Sequence, residues 1–340
     1  MLAGGEPQLE TSFRSADLGA DPAPLVDALA AHAPLDLVLG PAGYGLPLLP
    51  ATEVGERELA LMVLKRADEP AERVGIAGMR TIARALIAAG MPLVFGPGAV
   101  HLPTVPAHRK WNRIDLGTAD KVASTALGIV DQAERLGIGY EETSFVLLEL
   151  GGAFSAALAV DGGRIVDGLG GSAGPIGARA CGALDAEAAY LIGAALSKRT
   201  VFSGGALDPD GALDLGAPGA LERLRDDPAA RDGWRALEEG AVKAVLALTT
   251  AVPTPREVLV AGRLADAPGL LDDLGERLAR VAPVRSASAV ESAARGAAVL
   301  ADGLAGGRYA PLVERLRLRE ASGGALDHLR MYGADRIALG

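Results

Sequence analysis

The sequence predicts an α/β protein with mixed sheets, folded as two domains. Three observations carry this. The chain has 340 residues, more than one hydrophobic core usually holds. Residues 147–168, LLELGGAFSAALAVDGGRIVDG, read as three antiparallel strands joined by two glycine turns, at Gly151-Gly152 and at Asp161-Gly162-Gly163. Beyond them, strand and helix patterns alternate to the end of the chain.

Composition narrows the function. Hydrophobic residues make up 49%, charged residues 22% and aromatics 4%, so the core packs small side chains and offers few stacking surfaces. A net charge of −10 repels a phosphate backbone, and no basic block argues for a nucleic-acid partner. The single cysteine, Cys181, rules out a disulfide framework or a cysteine-rich zinc site within the chain and fits a reducing, cytoplasmic setting. The start, MLAGGEPQLE, lacks the basic and apolar segments of a signal peptide. The longest apolar tract, 241–252, is too short and too polar to cross a bilayer, so no membrane partner is expected.

Residues 11–18 read as a strand, 24–33 as a helix and 35–39 as a buried strand. A Gly/Pro-rich loop, GPAGYGLPLLP, follows over 40–50. Residues 58–64 read as a strand. Residues 78–89 have helical spacing, with Gly90 as the residue past the C-cap. A strand over 92–95 leads into a proline-rich loop. Residues 119–136 form the clearest amphipathic helix, with Val122, Ala126, Ile129, Ala133 and Leu136 on one face. Thr118 is its candidate N-cap, and Asp120 suits the positive first turn. The domain boundary is placed at the end of this helix, giving domains 1–136 and 137–308, with 309–340 packing back on the first. After the hairpins come a loop over 168–182 and helices over 185–196 and 228–250. A buried strand over 257–260 ends at Ala261-Gly262-Arg263. A helix to 281, a strand near 284, an Ala-rich helix over 289–304 and a helical tail over 309–329 complete the chain.

Common motifs give little. There is no GxxxxGK[ST], HExxH or EF-hand loop, and the four histidines do not cluster at ligand spacing. Gly168, Gly170 and Ala173 mimic a dinucleotide fingerprint but open onto Pro175 rather than a helix. Gly170-Gly171-Ser172-Ala173-Gly174 matches the serine-hydrolase elbow GxSxG, with Pro175-Ile176-Gly177 a poor helix start. A flexible glycine loop is the plainer reading.

The glycine hairpin does not stand alone. Glu149-Leu150-Gly151-Gly152-Ala153-Phe154-Ser155, with GGRIVD behind it, resembles the second phosphate motif of acetate and butyrate kinases. Those belong to the superfamily of sugar kinases, heat-shock chaperones and actin. In the family's order, LVLGPAGYGLP over 37–47 resembles its substrate-facing loop. Gly174-Pro175, Arg179 and Gly182 resemble the stretch after the phosphate hairpin. VLVAGRL over 258–264 resembles its adenosine motif, and AARGAAVLADGLAGGRY over 293–309 its closing helix. Ile114-Asp115-Leu116-Gly117-Thr118-Ala119-Asp120-Lys121 recurs in an uncharacterised group described as predicted butyrate kinase-like, the closest resemblance.

The resemblance covers about residues 10–310. It implies two ribonuclease H-like (actin-like ATPase) domains and an ATP-dependent phosphotransferase acting on a small metabolite, with a carboxylate among the candidate acceptors, and ATP and Mg²⁺ as cofactors. Related acyl kinases dimerise, so a homodimer is a possible assembly. Gly151, Gly152 and Ser155 would meet phosphates, and Gly262 and Arg263 the nucleotide. Gly43, Tyr44, Gly45, Asp120 and Arg179 would meet substrate. Glu149, Asp115 and Lys121 are the catalytic candidates. Four of these residues have a plain alternative: a solvated strand position for Glu149, helix capping for Asp115 and Asp120, a surface arginine for Arg263.

Two departures accompany the resemblance. The superfamily's first phosphate hairpin has no match, so about the first twenty residues of the usual fold are expected to be missing. Pro41 stands where butyrate kinases carry an arginine. The alternatives are a non-catalytic nucleotide- or ligand-binding protein on the same fold, and a serine hydrolase acting through Ser172.

Overall fold

A computed structural model describes residues 1–69, 76–287 and 293–340. The first part of the chain forms β1 (Leu2–Ala3), β2 (Glu6–Pro7), α1 (Ser15–Ala20), α2 (Ala23–Ala30), β3 (Val38–Gly40), β4 (Leu49–Pro50), α3 (Glu56–Val63), α4 (Ile76–Ala88), β5 (Leu93–Phe95), α5 (Ala107–Lys110) and α6 (Ala119–Leu136). Then follow β6 (Ser144–Leu150), β7 (Ser155–Asp161), β8 (Arg164–Leu169), α7 (Ala186–Ile192), α8 (Lys198–Val201), α9 (Ala220–Asp226), α10 (Arg231–Leu248), β9 (Glu257–Ala261), α11 (Leu270–Leu278), β10 (Val284–Ser286), α12 (Ala293–Leu304) and α13 (Ala310–Leu316).

The chain separates into two compact units. The first comprises Met1–Ile114, Thr118–Leu127 and Ser292–Gly340, the second Asp115–Gly117 and Gly128–Glu291. This grouping differs from the boundaries expected from the sequence. Helix α6 is unbroken, yet its first half belongs to one unit and its second half to the other. Helix α12 belongs to the first unit, where it packs with α13, β3 and β1; Gly296 also lets it approach α6, since a methyl group there would lie 2.1 Å from the Ala123 carbonyl oxygen.

The second unit carries a five-stranded mixed sheet in the order β10-β9-β6-β7-β8. Strands β6, β7 and β8 form the antiparallel meander that the sequence predicts, while β9 runs parallel to β6 and β10 parallel to β9. Gly162 and Gly163 both have positive φ, at 55° and 68°, between the paired residues Asp161 and Arg164. That is the two-residue turn a right-twisted hairpin favours. One face of the sheet, with Val146, Leu148, Leu150, Ala157, Ala159, Val258 and Val260, packs with Trp234, Leu237, Val245, Leu270, Leu274 and Leu278 of α10 and α11. On the other face, Gly128 of α6 lies against the Phe145 ring and Leu259, and Gly117 lies against Leu158.

The first unit holds a three-stranded sheet, β3-β5-β4, with β3 parallel and β4 antiparallel to β5. Its core gathers Leu46, Met62, Leu86 and Phe95. Two sequence expectations fail here. Residues 58–64 are not a strand but the body of α3. The Glu58 carboxylate accepts the Gly55 N–H at 3.0 Å, which caps the helix start and commits the apolar run to helix. An uninterrupted apolar run suits a buried strand and a buried helix equally. Residues 11–18 also form no strand: 11–14 are irregular and α1 begins at Ser15. The tail is helical only over α13 and a short 3₁₀ turn, Leu318–Glu320. Of the expected helix over 289–304, residues 293–304 are α12 and 289–292 lie outside the described residues.

Candidate functional site

In the second unit the loops that follow β6 and β9 lie side by side. The strands are parallel neighbours, with Glu149 opposite Ala261, so Gly151 and Gly262 both sit at carboxyl ends, where open α/β sheets receive ligands. Gly262 has φ +87°, and a methyl group there would lie 2.6 Å from the Leu150 carbonyl oxygen and 3.1 Å from the Gly151 nitrogen. Only glycine allows that approach.

The hairpin tip is more structured than a two-residue turn. Its loop is Gly151-Gly152-Ala153-Phe154, and the Gly151 N–H donates to the Phe154 carbonyl at 2.9 Å. That N–H closes the loop, which corrects its expected availability to a phosphate. Over Gly152 runs the Arg263 side chain, its Cδ 3.5 Å from where a Cβ would stand. Arg263 is exposed, and among the described residues no acid pairs with it.

Ser155 is paired with Leu150 across the hairpin and so shares its face, toward α10 and α11. Its Oγ is buried with no hydrogen-bond partner among the described residues. The expectation that it faces a phosphate therefore does not fit this register. Glu149, half-buried, pairs with Ala156 on the opposite face, in line with Phe145 and Leu147 as its alternation predicts.

Two other expected site residues are engaged inside the unit. Asp115 is buried; its Oδ1 accepts the Gly117 N–H and its Oδ2 accepts both the N–H and the Oγ–H of Ser172, each at 3.0 Å. The carboxylate thus ties one loop to another inside the unit. No helix follows Ser172: residues 171–180 are turns and irregular backbone, and the next helix is α7. The hydrolase elbow is absent. Arg179 donates through Nε and Nη2 to Asp208 Oδ2, at 3.0 and 2.9 Å, and through Nη2 to the Leu213 carbonyl. Asp208 is buried and also accepts the Ala212 and Leu213 N–H groups. Arg179 therefore neutralises a buried acid and is not the free anion-binding hand that its glycine-rich context suggests.

In the first unit the Gly43-Tyr44-Gly45 loop lies beyond the carboxyl end of β3. The Ala119 N–H, in the first turn of α6, donates to the Gly43 carbonyl at 2.9 Å, so this loop and the start of α6 adjoin. Tyr44 is buried, and its N–H donates to the Met62 carbonyl. Lys121 Nζ donates to Asp120 Oδ2 at 2.9 Å, and Thr118 Oγ1 donates to Asp120 Oδ1. Desolvation works to raise the Asp120 pKa; the Lys121 ammonium and the bonds from Thr118 and Lys121 outweigh it and hold the carboxyl below its usual value.

A family model described as "Protein of unknown function (DUF1464)" matches residues 4–331. The chain belongs to this family. No curated protein sequence matches it. The fold of this DUF1464 protein is that of several solved acyl kinases. It is similar to a propionate kinase from Francisella tularensis subsp. tularensis SCHU S4, with TM-score 0.59 and 13% identity over 85% of this chain and 84% of that one. It is similar to Porphyromonas gingivalis acetate kinase, with TM-score 0.57 and 12% identity over 86% and 85%. Acetate kinase from Entamoeba histolytica gives TM-score 0.54 and 10% identity over 79% and 74%. At such identities the likeness establishes the actin-like ATPase fold expected from the sequence. Among the described residues, no helix is long and apolar enough to cross a membrane, and no cluster of three or more His, Cys, Asp or Glu could hold a metal ion.

The DUF1464 chain therefore brings together Gly152, Gly262 and Arg263 in the second unit, with Glu149 on the same strand end. In the first unit it brings together Gly43, Tyr44, Gly45, Asp120 and Lys121. Sequence reasoning missed the roles of Ser172 and Asp208. Their signal was the run of glycines around Ser172 and Arg179, which marks loops packed against other backbone.

Proposed function

We propose that this DUF1464 protein is an ATP-dependent phosphotransferase of the acetate/butyrate kinase type, with a small carboxylate metabolite as acceptor. The observation that supports it is the contact of Gly262 with Leu150 and Gly151, which sets two backbone turns edge to edge beside Arg263, which no acid pairs among the described residues. Backbone donors and a guanidinium suit a polyphosphate, which needs positioning and charge neutralisation rather than covalent help. In this reading the Gly152 N–H and Arg263 hold the phosphates, and Gly262 leaves room for the nucleoside. Mg²⁺ is held largely by nucleotide phosphates and water and asks for one or two protein carboxylates, a demand Glu149 can meet. Bound there, the ion would neutralise charge on the transferring phosphoryl group.

A carboxylate acceptor is ionised at neutral pH and needs no base to activate it. Glu149 then serves by orienting rather than by taking a proton. The Gly43–Gly45 loop and Lys121 are the acceptor's contacts, and the setting is cytoplasmic. The test is calorimetric titration with Mg·ATP, followed by hydroxylamine trapping of acyl phosphate from a series of short carboxylates. Saturable binding with acyl hydroxamate supports the reading; absence of both refutes it.

A second reading, nucleotide binding without turnover, is favoured by one observation: Asp115, Arg179 and Lys121 all spend their charge inside the protein. It predicts Mg·ATP binding with no hydroxamate from any carboxylate.

A further inference from the structure

We propose that Asp115 and Ser172 form a latch that sets the shape of the 151–154 hairpin loop. The proposal rests on the phosphotransferase reading only where it concerns nucleotide affinity. The latch has three strands of connection. Asp115 Oδ2 accepts the Ser172 N–H and Oγ–H. The Asp115 carbonyl accepts the Gly170 N–H at 3.1 Å. The Asp115 side chain also fills the space beside Gly170, where a methyl group would lie 1.7 Å from Oδ1. The Gly170–Ser172 segment thus has one seat, beneath a carboxylate that is itself buried.

That seat determines what touches the hairpin. Gly171 abuts Phe154, with a methyl group at Gly171 falling 2.7 Å from the Phe154 Cβ. The Phe154 ring meets Phe202 edge-on, centroids 4.9 Å apart, so it is held from two sides. Further along the same loop, the Arg179 and Ala180 N–H groups both donate to the Ala153 carbonyl at 3.0 Å, and Arg179 is pinned by Asp208. The hairpin loop therefore rests on a loop whose near end is fixed by Asp115 and whose far end is fixed by Asp208. A hydroxyl bond to a buried carboxylate is among the stronger neutral–charged hydrogen bonds, and this one lies two residues from the start of that support. Asp115 and Ser172 are positioning residues here: they act through Gly171 and Phe154.

The test uses Ser172→Ala, which removes the hydroxyl bond and leaves the N–H bond, and Ser172→Thr, which keeps a hydroxyl. Amide hydrogen exchange is read first, without nucleotide, at Gly151, Arg179 and Ala180, whose N–H groups close the loop and its support. Ser172→Ala is expected to speed exchange there about tenfold, the worth of one such bond, with α10 unchanged and Ser172→Thr near wild type. Mg·ATP affinity is read second and is expected to fall by a similar factor, about tenfold, and to recover in Ser172→Thr. Unchanged exchange at those amides, or a uniform increase across the second unit, overturns the latch. If the wild-type protein binds no Mg·ATP, the phosphotransferase reading fails by itself, and the exchange measurement still decides the latch.

Discussion

Gly262 and Leu150 are in backbone contact: a methyl group on Gly262 would lie 2.6 Å from the Leu150 carbonyl oxygen. The turn after β9 and the loop after β6 are thereby one surface. Gly262→Ala would force both a strained φ and a backbone clash. It is expected to destabilise the second unit by about 2–3 kcal/mol, measured by denaturant unfolding, and to abolish Mg·ATP heats at concentrations where the wild type saturates.

Arg179→Ala is expected to act on stability. It leaves Asp208 buried with its charge balanced only by the Ala212 and Leu213 N–H groups. A stranded buried charge costs roughly 3 kcal/mol, to be read as a lower denaturation midpoint. A variant that unfolds like wild type and shows only a raised acceptor KM would restore Arg179 to the substrate site.

Ser155→Ala is expected to do the opposite of what a phosphate ligand would. Its Oγ is buried without a partner among the described residues, so removing it is neutral or stabilising by up to about 1 kcal/mol. Mg·ATP affinity should stay within about twofold, about 0.4 kcal/mol. A large loss of affinity would place the hydroxyl on the nucleotide.

His101, 2% exposed, makes stability depend on pH. Burial pushes its pKa down to about 4; the bond to the Gly98 carbonyl opposes this and the Lys110 charge adds to it. Between about pH 6.5 and pH 4 the unfolded chain binds a proton that the folded chain refuses. Stability contributed by the neutral ring is therefore full above pH 6.5 and falls on acidification to about pH 4, by roughly 3 kcal/mol. His101→Gln should flatten that part of the stability–pH curve; an unchanged slope would assign it to other groups.

Much of the second unit was legible in the sequence because its signals are local. The β6–β7–β8 meander follows from short apolar runs ending in glycine turns, and α6 from a 3.6-residue apolar face running from residue 119 to 136. The first unit was less legible. The run that fills most of α3, Leu59–Val63, is apolar throughout, and only the Gly55–Glu58 cap distinguishes helix from strand. Site residues divide the same way. Gly262 and Arg263 lie where the strand-end pattern puts them. The pairings of Asp115 with Ser172 and of Arg179 with Asp208 span 57 and 29 residues, and no local pattern announces a partner that far along the chain.

In the proposed reading, polyphosphate binds where Gly152, Gly262 and Arg263 meet. Calorimetric titration of the wild type and Arg263→Ala with Mg·ATP tests it most directly. The wild type is expected to bind one-to-one, and Arg263→Ala about tenfold or more weakly through loss of a charge-assisted contact, with the melting temperature of this exposed-arginine variant unchanged. Equal affinity in the two proteins, or no binding by the wild type, would contradict it.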